Sequence, residues 1–309
     1  MKRHALAALL LALSLLAGCA AAPAVSTATA APAVVTAEVT VTVTAVATPA
    51  PTPTASAAPT PYAGENALPY PSGYDTDTTG ASSYKNCGDH PDAGYFAAPD
   101  VYNMISAGTL TVLPHFKTYQ QTTEWSCGNA TALMVLNHYG NTEWDELAIA
   151  KIMKSNTDLD KDNKEHPGAA NERGEYGTST TGMVTFFQHI GWKVQSSILP
   201  EQKAFQASLS DPAVFTKWVI GNLKNNTPIM VEWIDWGGHW QNIIGYDTMG
   251  TDDNFEDDVL LLADPYDATD HKQDGYYTFS ASRFYYMWFD AHILPEDQTE
   301  MQWVIATPK

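Results

Sequence analysis

The chain is short of cysteine, of basic residues and of long apolar runs. Its 309 residues hold three cysteines and no C-x-x-C pair, too few for a disulfide scaffold. Lys plus Arg total 16 against 35 Asp plus Glu, a formal net charge of −19. A chain this acidic is ill suited to coating phosphate backbones or an anionic bilayer surface. No apolar stretch reaches the ~18 residues of a spanning helix. The histidines show no H-x-x-x-H spacing and no internal repeat is visible, so neither a zinc site nor a solenoid is indicated. What is present is apolar material at 44% and aromatic residues at 11%, enough for one sizeable core.

The first residues read as an export signal. Lys2 and Arg3 precede Ala5 to Ala17, an unbroken apolar or small stretch of h-region length. It ends Leu16-Ala17-Gly18-Cys19, which resembles the lipobox of bacterial lipoproteins. That resemblance implies cleavage after residue 18, lipid on Cys19 and attachment to the outer face of the cell membrane. The alternative is an ordinary signal peptide cut near Ala20 to Ala22. Residues 19–61 are rich in Ala, Thr, Pro, Val and Ser, with seven prolines, one charge (Glu38) and no aromatic residue. Such a segment buries too little to offset its ordering entropy and reads as a disordered tether. Extended at ~3.1 Å per residue, it spans on the order of 100 Å. Residues 62–100, which include Cys87, read as an irregular extension, and 101–309 as the folded domain.

The domain begins in helical period and ends in strand period. From Cys127, apolar residues fall at Ala132, Val135, Leu136 and Tyr139, with Ala130, Leu133 and Met134 on a second face. A helix apolar nearly all round is buried, and Gly140 stands where it ends. Cys127 therefore lies at a helix N-terminus, where free N–H groups and the macrodipole favour a thiolate. A second helix is expected with Thr142 as N-cap and Asp145 three residues on. A third is expected over 182–189 and another from Asp211-Pro212 to about Asn225. Strands are expected over 192–199, 228–234, 239–246, 259–263, 276–279 and 302–306, with a short helix over 282–289. Helices followed by strands imply an α+β domain with an antiparallel sheet.

His239 opens one of these strands after Gly237-Gly238, and Asp264 closes the next. A thiol at a helix start, an imidazole and a carboxylate at strand ends are the set that nucleophilic thiol catalysis needs. A side-chain amide just before the cysteine would add an oxyanion donor. Gln121 stands six positions before Cys127, with Gln120 as the next candidate.

Taken in order, Gln121, Cys127-Gly128, His239 before an apolar strand, and Asp264-Pro265 resemble the papain-like cysteine peptidases. Within them they are similar to the family 39 peptidases that cleave double-glycine leader peptides of bacteriocins. The resemblance implies a papain-like α+β fold, with the nucleophile's helix packed on a C-terminal antiparallel sheet. It assigns Cys127 as nucleophile, His239 as general base and acid, Asp264 as its orienter and Gln121 as oxyanion donor. It implies a peptide or protein substrate, no cofactor and no metal, and leaves the oligomeric state open. Two departures stand out: Ser126 where the family often has Asp, and Trp240-Gln241-Asn242 after the histidine.

Other readings stay open. A thiol amidase or acyltransferase acting on cell-wall peptides would share the architecture, as would a non-catalytic binding lipoprotein. A Cys87–Cys127 disulfide would favour the last. Asp158, Asp160 and Asp162 begin like an EF-hand loop, but Asn163 stands where Gly should follow and Ala169 where Glu should close it, so a solvated acidic loop is expected. Residues 252–258 read as an acidic hairpin tip. Trp233, Trp236 and Trp240 cluster around His239, as core packing or as a cleft wall.

Overall fold

The computed structural model describes residues 65–86, 99–155, 175–251, 253–268, 273–291 and 294–309. The signal, the tether, Cys19, Cys87 and the Asp158–Asp162 run lie outside these residues. All described residues belong to one compact unit, 54–309.

Helices α1 (Cys127–His138), α2 (Glu146–Met153) and α3 (Thr180–His189) come first. Helices α4 (Lys203–Ser208), α5 (Pro212–Lys224) and α6 (Ala281–Tyr286) are interspersed among the strands. The strands are β1 (Leu110–Val112), β2 (Lys193–Ser196), β3 (Ile229–Trp233), β4 (His239–Asp247), β5 (Val259–Ala263), β6 (Tyr276–Ser280) and β7 (Gln302–Thr307). They form one seven-stranded sheet in the order β2-β7-β3-β4-β5-β6. β1 extends it beside the far half of β4, pairing Leu110–Val112 with Asp247–Gly245. All its ladders are antiparallel. This is the expected α+β papain-like fold.

α1 is buried from Cys127 through Leu136, as its two apolar faces require. It packs on β4, and two polar contacts fix the register. Thr131 Oγ1 donates to the Trp240 carbonyl at 2.9 Å, and Asn242 Nδ2 donates to the Thr131 carbonyl at 3.1 Å. α2 and α3 pack beside α1, and α5 covers β1 and β4. A bulge lies between Ile243 and Gly245. A Cβ at Gly245 would come within 2.9 Å of Leu261 Cβ, so the ladder closes there only with glycine.

Several local expectations are corrected. The N-cap of α2 is Asp145, whose Oδ1 accepts from the Ala148 N–H at 2.8 Å, and not Thr142. The helix expected over 282–289 is Ala281–Tyr286, and the strand expected over 192–199 is only Lys193–Ser196. β1 and α4 were not expected; each is too short to show a period. Trp233 and Trp240 are core residues, whereas Trp236 is 61% exposed. Asp258, at the end of the acidic loop, is buried and accepts from the Tyr246 hydroxyl.

Residues 65–86 pack against the segment that leads to Cys127. Ala67 bridges to Thr118, Tyr70 Oη donates to the Gln120 carbonyl, and the Ser82 N–H donates to the Gln121 carbonyl.

Candidate active site

Cys127 is the first residue of α1 and a free thiol. The residue before it explains both its setting and one departure from the family pattern. Ser126 stands at the N-cap but makes no capping bond. Its hydroxyl donates instead to Glu146 Oε1 and accepts from Thr123 Oγ1. The first N–H groups of α1 are thus left without a side-chain cap, beside the thiol. Gly128 follows because a Cβ there would lie 2.5 Å from Thr178 Cβ.

Glu146 has 0% exposure and organises this loop. It accepts from Tyr119 Oη at 2.9 Å, the Thr122 N–H at 3.0 Å, Thr122 Oγ1 at 2.7 Å and Ser126 Oγ. Burial raises its pKa and the hydrogen bonds oppose that shift, with burial prevailing.

His239 begins β4 opposite Trp233 of β3. Gly237 (φ 89°) and the preceding Trp236 (φ 53°) turn the chain sharply into the strand. Trp236 is strained there, since non-glycine residues seldom adopt positive φ. The turn is tied by Gly237 N–H to the Ile234 carbonyl at 2.7 Å and Gly238 N–H to the Asp235 carbonyl at 2.9 Å.

His239 Nε2 lies 2.7 Å from Asp264 Oδ1. The Cys127 side chain is the ring's other polar neighbour and, like Asp264, favours its charged form. Burial is the largest influence on His239 and opposes its charged form. The charge and hydrogen bond of Asp264, joined by the Cys127 contact, outweigh it and hold the imidazole well above its ordinary pKa. The three side chains thus run in a chain from thiol to imidazole to carboxylate, with Asp264 fully buried and Cys127 the most exposed at 9%.

The Asp264 corner is pinned to the loop before Cys127. Asp264 Oδ1 also accepts from the Tyr266 N–H at 2.8 Å. Gln120 Nε2 donates to the Asp264 carbonyl at 2.8 Å, while its Oε1 accepts from the Asp267 N–H at 2.9 Å. The Gln121 N–H donates to the Pro265 carbonyl at 2.8 Å. Gln120 therefore clamps the corner through both ends of its amide. Gln121 is buried, and its Nε2 donates to the Thr123 carbonyl at 2.7 Å. That bond uses one of the two amide hydrogens.

The polar residues after His239 also have structural partners. Gln241 Oε1 accepts from the Trp233 indole at 2.7 Å, and Asn242 holds α1 as described. Sequence reasoning missed Glu232, Asp235 and Asp290 around the site. Asp235 is pushed up by burial first, which the nearby His239 charge opposes. Among the described residues, no group of His, Cys, Asp or Glu is arranged to hold a metal ion, and no helix is long and apolar enough to cross a membrane.

A papain-like α+β fold with a thiol, an imidazole and a carboxylate in line belongs to the class of cysteine-peptidase-like proteins. Residues 114–291 match the model of the Peptidase_C39 like family, more than half of the chain, and the chain belongs to that family. Among solved structures it is similar to the peptidase domain of Streptococcus ComA, a bi-functional ABC transporter involved in a quorum sensing pathway. The identity is 17%, covering 63% of this chain and 100% of that one, with a TM-score of 0.35. No curated protein gives a significant match.

Proposed function

We propose that the protein is a cysteine peptidase that hydrolyses peptide bonds through Cys127, His239 and Asp264, with Gln121 as oxyanion donor. The observation that carries this reading is the His239–Asp264 contact of 2.7 Å, with the thiol at the start of α1 as the ring's other polar neighbour. A raised imidazole pKa keeps the ring protonated beside the sulfur, which is what an ion-paired thiolate requires.

In the first half-reaction, the Cys127 sulfur attacks the scissile carbonyl carbon. The new C–S bond forms as the carbonyl π pair moves onto oxygen. That oxyanion accepts from the Cys127 N–H and the second Gln121 amide hydrogen. Collapse expels the amine, which takes the proton from His239 and leaves a thioester. His239 then draws a proton from water, the hydroxyl attacks the thioester, and thiolate and acid separate. Asp264 holds the ring in place throughout.

We infer further that export and lipid on Cys19 tether the enzyme to the outer face of the cell membrane. The basic start, the apolar run and Leu16-Ala17-Gly18-Cys19 support this. Metabolic labelling with a radioactive fatty acid, lost in Cys19→Ala, tests the anchor.

The test of the activity is alkylation near pH 6, where an ordinary thiol barely reacts. Iodoacetamide labels Cys127 rapidly, read by peptide mass, and His239→Ala abolishes it. An unlabelled Cys127 in the reduced protein would overturn the peptidase reading.

A further inference from the structure

Glu232 is the one charged residue of β3, in the run Ile229-Met230-Val231-Glu232-Trp233, all of it buried. It is 1% exposed, and neither carboxyl oxygen has a hydrogen-bond partner of ordinary geometry. In register it stands opposite Trp240 and next to Trp233, the partner of His239. The ionisable groups that face it come from three elements: Asp290 from the segment after α6, Cys127 from α1 and His239 from β4.

Asp290 is itself buried and firmly placed. Its N–H donates to the Thr299 carbonyl at 2.9 Å, and its Oδ2 accepts from the Leu294 N–H at 2.9 Å. The next residue, Ala291, donates its N–H to the Gly237 carbonyl at 2.8 Å, two residues before His239. The anchored Asp290 thus acts directly on Glu232, which also feels the thiol and the imidazole. Two negative charges this deep would be very costly, whereas one shared proton removes most of the penalty.

We propose that Glu232 and Asp290 share a single proton and that this pair positions the thiol site by holding one negative charge, not two, near Cys127 and His239. The inference rests on the peptidase reading of those two residues. Burial first, and Asp290 second, push Glu232 well above the ordinary carboxyl range, in keeping with a protonated Glu232. The Glu232 O–H faces Asp290, and the remaining charge lies mainly on Asp290. The Cys127 thiolate then forms without a second anion beside it. When the shared proton leaves as pH rises, a second negative charge appears. The added charge then opposes the thiolate and favours the imidazolium.

The experiment is the pH profile of iodoacetamide labelling of Cys127 in the full chain, with infrared detection of protonated carboxyl groups. Glu232→Gln mimics the protonated acid. It should keep the rate at pH 6 within about twofold of wild type and leave the acid limb in place. The alkaline step should move down by about one pH unit, because the imidazolium loses the late-forming anion. A protonated-carboxyl C=O band present at pH 7 in the wild type should be lost in Glu232→Gln. Asp290→Asn should keep the band at low pH and lose it at a lower pH than wild type, since the acid that adds to the burial shift is gone; this variant decides the matter if Glu232→Gln does not fold.

An acid limb that moves down in Glu232→Gln would overturn the proposal by showing Glu232 ionised throughout. So would a profile superimposable on wild type, or a missing band. In each of those cases rapid wild-type labelling leaves the peptidase reading standing. No wild-type labelling at pH 6 would overturn both.

Discussion

Glu146 and Glu232 are two glutamates with almost no exposure, one bonded to the residue before Cys127 and the other acted on by Cys127 itself, and the protein treats them in opposite ways. Glu146 lies at the start of α2 and receives four hydrogen bonds from Tyr119, Thr122 and Ser126. Glu232 lies mid-strand and receives none of ordinary geometry; the charged neighbour that acts on it most is another acid. Burial raises both pKa values, but hydrogen bonds oppose the shift at Glu146, while Asp290 adds to it at Glu232. A buried carboxyl ringed by donors is a strut, because its removal orphans every donor. One without donors holds a proton, and its charge is then a variable that nearby chemistry feels.

The largest effect should come from breaking the strut. Glu146→Ala leaves two hydroxyls of the loop, the Tyr119 phenol and the Thr122 N–H without their acceptor, at a cost of about 3–5 kcal/mol. Urea denaturation followed by circular dichroism measures it; a loss below about 1 kcal/mol would mean that water replaces the carboxylate and the contrast with Glu232 is false. Next comes the imidazole's own anchor. Asp264→Ala removes the charge that offsets the burial of His239. The rate of Cys127 alkylation at pH 6 should fall about 10- to 10³-fold, with little change in circular dichroism. An unchanged rate would show that Asp264 does not hold the ring charged.

A third test separates the two adjacent glutamines. Gln120→Ala unclamps the Asp264 carbonyl and the Asp267 N–H and should cost about 1–3 kcal/mol in the same denaturation assay. Gln121→Ala, which removes a single donation to the Thr123 carbonyl, should cost less stability than Gln120→Ala. The reverse order would exchange their roles.

The contrast between strut and proton holder also marks what the sequence could convey. α1, its N-terminal cysteine and its buried character were legible because ten consecutive residues carry apolar or small side chains on every face. The strands next to His239 and Asp264 were legible from short, mostly apolar runs bounded by polar residues. Glu146 was not, because a glutamate in a first helical turn normally faces water and the dipole alone accounts for it. Only the loop folded over it, contributed by Tyr119 to Ser126, makes it internal. The same long-range closure gives Gln120 and Gln121 different partners, which their neighbouring places in one segment do not foretell. Glu232 did leave a signal: a single acid in an otherwise apolar strand, in a position to be buried on both sides. Its partner Asp290 did not, since 58 positions separate them. The start of α2 shifted because Asp145 caps it in place of Thr142, and α6 begins at Ala281 because Ser280 caps it.

The smallest effect is the most diagnostic, because its sign changes with pH. Glu232 has a raised folded pKa, so between the ordinary carboxyl value and that raised value the folded state binds a proton that the unfolded state has released. Wild-type stability must therefore fall as pH rises through this window, with a slope of up to about 1.4 kcal/mol per pH unit for one proton. Gln carries no such proton, so Glu232→Gln removes this part of the slope. Near pH 4 both states hold the proton, and the variant should be equal to wild type or slightly less stable. Toward pH 8 it should gain on wild type by an amount that grows with each step. His239 also loses its stabilising contribution as pH rises through its own raised pKa, but it does so in both proteins and largely cancels in the difference. Glu146→Gln supplies the contrast. The amide still accepts through its oxygen, but its NH2 group faces donors at the second carboxylate position. That loss should exceed any relief from its own raised pKa and leave the variant less stable than wild type at pH 4 and at pH 8. Thermal melts of wild type and both variants across pH 4–8 make the comparison. A Glu232→Gln difference that stays flat would mean that Glu232 is ionised in the fold after all, and that the two glutamates differ in geometry but not in charge.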